Sequence, residues 1–112
     1  MHPGRILVVA RDDDLRRSLT FALAAYGYAV TAEPSWPGDA TADAFDCIVL
    51  DEQVLSKSPV LSPAHRPVLL LAYSEEARAN GVVTGVIAMP LKGEAVPQAV
   101  AAAIATARQN AK

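Results

Sequence analysis

A single cysteine, Cys47, leaves the chain without an internal disulfide or a thiolate zinc cage. It lies inside "FDCIVLD", an apolar setting that predicts a buried, inert thiol rather than a reactive one. The two histidines, His2 and His65, are isolated in sequence, so a solvent-facing role is expected for both and a metal role for neither. Neither a G-x-G-x-x-G loop nor a P-loop occurs, which argues against dinucleotide or ATP binding. No charge of one sign dominates: the net charge is −2 with acids and bases interspersed, so neither a nucleic-acid surface nor an anionic membrane is indicated as a partner. The longest apolar runs, such as "VLLLAY" from Val68 to Tyr73, fall well short of the roughly 18 residues of a membrane span. The opening "MHPGR" runs straight into a strand pattern, which leaves no room for a signal peptide. With 112 residues the expectation is one domain over residues 1–112, cytoplasmic, with no separate output module.

What the chain does contain is a series of short β-branched runs. Four are strong: "RILVVA" (5–10), "CIVLD" (47–51), "PVLLLAY" (67–73) and "GVIAM" (85–89). A weaker fifth is "YAVTAE" (28–33). The strong runs are apolar throughout rather than alternating, as strands covered on both faces should be. Between the first two elements, Leu15, Leu19, Ala22, Leu23 and Tyr26 recur at helical spacing, and Gly27 stands where a C′ glycine belongs. Near the end, Val96, Ala99, Val100, Ala103, Ile104 and Ala107 share one helical face. Pro97 fits there only in a first turn, so this helix should begin between Gly93 and Val96. The middle connections are thin. A short helix around Asp39 to Ala44, a mostly looped stretch containing Pro59 and Pro63, and about two turns in "SEEARANG" are the most they allow. Strands alternating with helices imply an open parallel sheet of right-handed βαβ units.

In such sheets ligands bind beyond the carboxyl ends of the strands. Those ends are Ala10 to Asp12, Asp51 to Gln53, Ala72 to Ser74, and Met89 with Pro90. Here the chain resembles the receiver domains of bacterial two-component response regulators, the CheY-like family. The likeness covers nearly the whole chain and rests on "RILVV…DLRRSLTFALAAYGY", "FDCIVLDEQVL", "RPVLLLAYS" and "GVIAMPLKGEAV". It implies a flavodoxin-like, doubly wound, five-stranded parallel sheet, here with shortened middle helices. It also implies a phosphoacceptor aspartate at the end of the middle strand, a position that Asp51 matches. The family further places an acidic pair for Mg²⁺ after the first strand, a Thr or Ser at the end of the fourth, and a Lys before a proline after the fifth.

Those three positions depart from the pattern. Gapless alignment through "ILVV" and "LRRSL" sets Ala10 and Arg11 on the acidic pair, while Ala72 replaces the hydroxyl and Met89 the lysine. Mg²⁺ demands near-octahedral hard oxygens, usually one or two carboxylates with phosphate and water. Two unit charges at about 4 Å interact by roughly 4 kcal/mol at an effective dielectric of 20, so Arg11 nearby would oppose the ion. Ala72 cannot donate to a phosphoryl oxygen, and Met89 cannot offset its charge. Ser74, Lys92 or Asp12 are the neighbours that could substitute.

Three readings of Asp51 follow: a live phosphoacceptor, a residual carboxylate satisfied locally, or the partner of Arg11 in a bidentate pair that replaces the metal. For Asp12, Asp13 and Asp14, helix capping is favoured over a displaced metal site, with Asp12 the one acid that could still enter the pocket. Met89–Pro90 coincides with a bond that receivers often hold in cis, which sequence alone leaves open. Trp36 in "PSWPGD" is expected to pack over the sheet edge, with a partner-binding role as the alternative. The expectation is a non-enzymatic pseudo-receiver that acts by protein–protein contact, with no cofactor. Its partner would be a signalling protein such as a histidine kinase or an output protein. The resemblance puts the contact face on Glu75 to Asn80, Val86 to Ala88 and the last helix, where Ala101, Ala102 and Ala105 also allow a homodimer. The competing expectations are a working receiver phosphorylated at Asp51 with Mg²⁺, and a flavodoxin-like enzyme or cofactor carrier.

Overall fold

A computed structural model describes residues 4–38, 41, 44–55, 67–72, 85–88 and 94–110. Five strands appear where the β-branched runs lie: β1 (Arg5–Val9), β2 (Ala29–Glu33), β3 (Cys47–Asp51), β4 (Val68–Ala72) and β5 (Gly85–Ala88). They form one sheet in the order β2-β1-β3-β4-β5. Every neighbouring pair is parallel. This is the doubly wound arrangement expected from the alternation of strands and helices.

The uniform apolarity of the inner strands has its cause in a core on each face of the sheet. Ile6, Val8, Cys47, Val49, Leu69 and Leu71 belong to one core, together with residues of the two long helices. Leu7, Val9, Ile48, Leu50, Val68 and Leu70 belong to the other, where Val54 and Phe45 also pack. The two-residue alternation of a strand is present, but both phases are apolar because both faces are covered. Trp36 is half-buried against the second core, as expected.

Helix α1 (Asp13–Ala24) lies on the first face and buries Leu19 and Leu23. It stops as Gly27 predicts. Gly27 takes φ of 90°, its N–H reaches the Ala24 carbonyl at 2.9 Å, and Tyr28 N–H reaches the Leu23 carbonyl at 3.4 Å. That pair of bonds is the Schellman stop, with glycine in the left-handed position. The expected apolar stripe does not extend to Tyr26, which is exposed. The reversal at Gly27 ends the helical phase first, and Tyr28 turns to the core instead. Asp51 is followed directly by α2 (Glu52–Leu55), a single turn where the proline-bearing stretch suggested mostly loop. The last helix, α3 (Ala95–Asn110), places Pro97 in its first turn and buries Val96, Val100, Ala103 and Ile104. The short helix expected around Asp39 to Ala44, the loop of Pro59 and Pro63, and the "SEEARANG" segment lie largely or wholly outside the described residues. No described helix is long and apolar enough to cross a membrane.

Candidate functional site

From β1 the chain steps to β2 on one side and later returns to β3 on the other, so the order reverses between β1 and β3. The crevice opens beyond their carboxyl ends. The register that pairs Val9 with Leu50 brings Ala10 alongside Asp51, and Asp51 itself pairs with Leu71 of β4.

Asp51 is the one charged side chain that is buried among the described residues, with 0% exposure. Its Oδ1 accepts a hydrogen bond from Gln53 N–H at 3.2 Å, which opens the turn of α2. Its Oδ2 is buried with no partner among the described residues. Burial, before any other cause, pushes the carboxyl above its ordinary pKa. The Gln53 N–H opposes that shift, the Glu52 and Asp12 carboxylates add to it, and Arg11 opposes it most weakly.

The bidentate Arg11–Asp51 pair is absent: Arg11 is exposed, and its side chain makes neither a hydrogen bond nor an ion pair with the carboxylate. A guanidinium drawn into the crevice would lose its hydration, and at the surface it acts on Asp51 only through space. The triple acid is the start of α1. Asp12 is the N-cap (φ −76°, ψ 123°), and its Oδ1 accepts from Asp14 N–H at 3.3 Å. Asp13 faces solvent and receives two guanidiniums, Arg16 Nη2 at 2.6 Å and Arg17 Nη2 at 3.1 Å.

Arg16 is the residue that a position-by-position comparison of strand ends misses. Its Nη1 donates to the carbonyls of Ala10 at 2.8 Å and Arg11 at 3.0 Å. One side chain therefore ties the exit of β1 to the first turn of α1. Its signal in the sequence was the Asp13–Arg16 spacing, a pair three residues apart on one helix face.

Ala72 ends β4, buried and without a hydroxyl. Met89 and its bond to Pro90, Ser74, Lys92, His2 and His65 lie outside the described residues. Cys47 is buried, and desolvation pushes its thiol up to about 12, as its apolar setting implied. Among the described residues no group of three or more His, Cys, Asp or Glu side chains is placed to hold a metal ion. The donor set does not fit Mg²⁺. Asp51 Oδ2 has no partner, but Asp12 Oδ1 is spent on the cap, and the Ala10 and Arg11 carbonyls are spent on Arg16.

No family model matches the chain, and no curated protein does. Solved structures match throughout. FixJ from B. japonicum is 23% identical with a TM-score of 0.76, over 99% of this chain and 62% of that one. NtrX from Brucella abortus is 18% identical with a TM-score of 0.78, over 99% of this chain and 28% of that one. A response regulator receiver modulated diguanylate cyclase from Pelobacter carbinolicus is 17% identical with a TM-score of 0.73, over 96% and 97% of the two chains. The chain thus spans less than two thirds of FixJ and under a third of NtrX. At such identities the likeness concerns the fold: the chain has the flavodoxin-like fold of response regulator receiver domains.

Proposed function

We propose that this receiver-fold chain is a pseudo-receiver of bacterial two-component signalling, a cytoplasmic, non-enzymatic domain that acts through protein–protein contact and not through a Mg²⁺-dependent phosphorylation cycle. The observation that carries this is the environment of Asp51. Its carboxylate has 0% exposure, and the β1 residue alongside it is Ala10, which offers no carboxylate. Phosphoryl transfer is catalysed by positioning and by offsetting charge on the equatorial oxygens. A carboxylate with 0% exposure gives a phosphodonor no open line of approach. Asp12 Oδ1 is engaged at the helix cap.

The partner on this reading is a signalling protein, a histidine kinase or an output protein, and neither nucleic acid nor membrane. The last helix carries Ala101, Ala102 and Ala105 on its exposed side, where small side chains let another helix, including that of a second copy, approach closely.

One observation favours the competing reading of a working receiver: Asp51 Oδ2 is left without a partner among the described residues, at the strand end where the resemblance implies a phosphoacceptor. Intact-mass measurement after incubation with a small phosphodonor and Mg²⁺ separates the two. No phosphate adduct is expected. An adduct that Asp51→Asn abolishes would establish the working receiver instead.

A further inference from the structure

We infer that Arg16 is the built-in cation of the β1–α1 loop and shuts that loop to divalent metal ions. The inference deepens the pseudo-receiver reading and rests on it. Its basis is a single guanidinium that binds three oxygens: the Ala10 carbonyl at 2.8 Å, the Arg11 carbonyl at 3.0 Å and Asp13 Oδ1 at 2.6 Å. A hard cation would seek oxygens of these kinds, carbonyls and a carboxylate within one short loop. A planar guanidinium satisfies them at fixed geometry and is charged at every physiological pH.

Burial separates Arg16 from its neighbour. The Arg16 side chain is 19% exposed and that of Arg17 is 75% exposed, although both bond Asp13. The Arg17 pair is a solvated contact of small consequence. Arg16 is partly withdrawn from water, and its bonds reach across the loop to the strand exit. The Arg16 N–H also donates to the Asp12 carbonyl at 3.0 Å, so the same residue closes the first helical turn.

The contact acts as an autoinhibitory latch. An ion entering the loop would meet two carbonyls already bonded to a guanidinium and an Asp12 Oδ1 committed to the cap, with Ala10 alongside Asp51 in the strand register. Asp51 Oδ2, buried and unpartnered, is the oxygen that such an ion would find first once the latch is open.

The test is Mg²⁺ binding by calorimetry, with Tb³⁺ luminescence and Mg²⁺ competition as a second readout. The proteins are the full chain, Arg16→Met and Arg16→Met/Asp51→Asn. Arg16→Met should bind Mg²⁺ roughly tenfold more tightly than the parent chain or better, since the guanidinium's hold on three oxygens is gone. The double variant should lose that gain. A folded Arg16→Met that binds no better than the parent overturns the inference, and so does a gain that survives Asp51→Asn. If Arg16→Met does not fold, Arg16→Lys decides, because it keeps the charge and loses the fork. A gain smaller than tenfold over the parent is then expected, and parental behaviour overturns the proposal. Strong Mg²⁺ binding by the unaltered chain would instead defeat the pseudo-receiver reading itself, and the latch with it.

Discussion

Replacing Asp51 by asparagine should stabilise the protein, and the gain should grow with pH. In the parent chain a carboxylate is held at 0% exposure with one oxygen bonded to Gln53 N–H and the other unpartnered. Leaving a charge buried without a pair costs several kcal/mol, roughly 3–5 by the loss of one partner from a buried pair. A buried neutral amide with an unmet donor costs about 1–3 kcal/mol. The asparagine Oδ1 can still accept from Gln53 N–H, so the exchange should gain about 1–3 kcal/mol where Asp51 is ionised. Unfolding entropy near 2.1 cal/mol/K per residue makes each kcal/mol worth about 4 °C for a chain this size, hence a Tm rise of about 4–13 °C.

The sign with pH follows from linkage. Burial raises the folded pKa of Asp51 above its ordinary 3.8, so the folded state keeps this proton to higher pH than the unfolded chain does. The stability it contributes is therefore complete below the ordinary carboxylate pKa and is lost as pH rises through the folded one. The variant has no such proton, so its advantage should vanish in acid and open toward neutral and alkaline pH. Thermal and urea unfolding of both proteins across roughly pH 4 to pH 9 reads this directly. An asparagine variant that is no more stable at the alkaline end would refute the reasoning. A gain that is the same at every pH would refute it equally, because it would not come from charge.

The remaining expectations concern α1. Leu23→Ala removes a wholly buried side chain and should cost about 2–5 kcal/mol, whereas Phe21→Ser, at 79% exposure two positions earlier, should change stability by about 0.5 kcal/mol or less; urea midpoints separate them. At the two ends of the helix, Asp12→Ala should cost about 1 kcal/mol by loss of the cap. Gly27→Ala should cost about 1–2 kcal/mol, because φ of 90° is left-handed for any residue with a β-carbon, and the same unfolding curves check it.

Much of the fold was legible because two covered faces leave a clear mark on sequence. "CIVLD" and "VLLLA" are uninterrupted because Val49 and Leu50, or Leu70 and Leu71, enter opposite cores. The edge strand β2 was the faint one, and the structure gives the reason: its residues are exposed or half-buried, so "AVTAE" carries no continuous apolar run. Tyr26 lies outside the core because the helix stops before it, an end that Gly27 marks and periodicity does not. The single turn of α2 was hidden for a different reason. Pro59 and Pro63 dominate the composition after Asp51, and the turn depends on the Asp51 side chain itself, a residue read for its chemistry and not for capping.

The strand ends meet where the sequence implied, but the expected Arg11–Asp51 pair does not form, and the reason is geometric. Arg11 stands at the strand end, where the resemblance implies an acid. Side chains on a helix, however, point back toward its N-terminus and cover the preceding turn. Arg16 is four residues into α1, and that direction carries its guanidinium onto the carbonyls of residues 10 and 11. Arg11, at an exposed turn before the helix, has no such guidance. On the latch proposal, a residue inside the helix closes the loop in addition to the substitutions at its mouth. Restoring acids at positions 10 and 11 would leave the backbone carbonyls there bonded to the same guanidinium. A metal that took those carbonyls as ligands would have to displace Arg16.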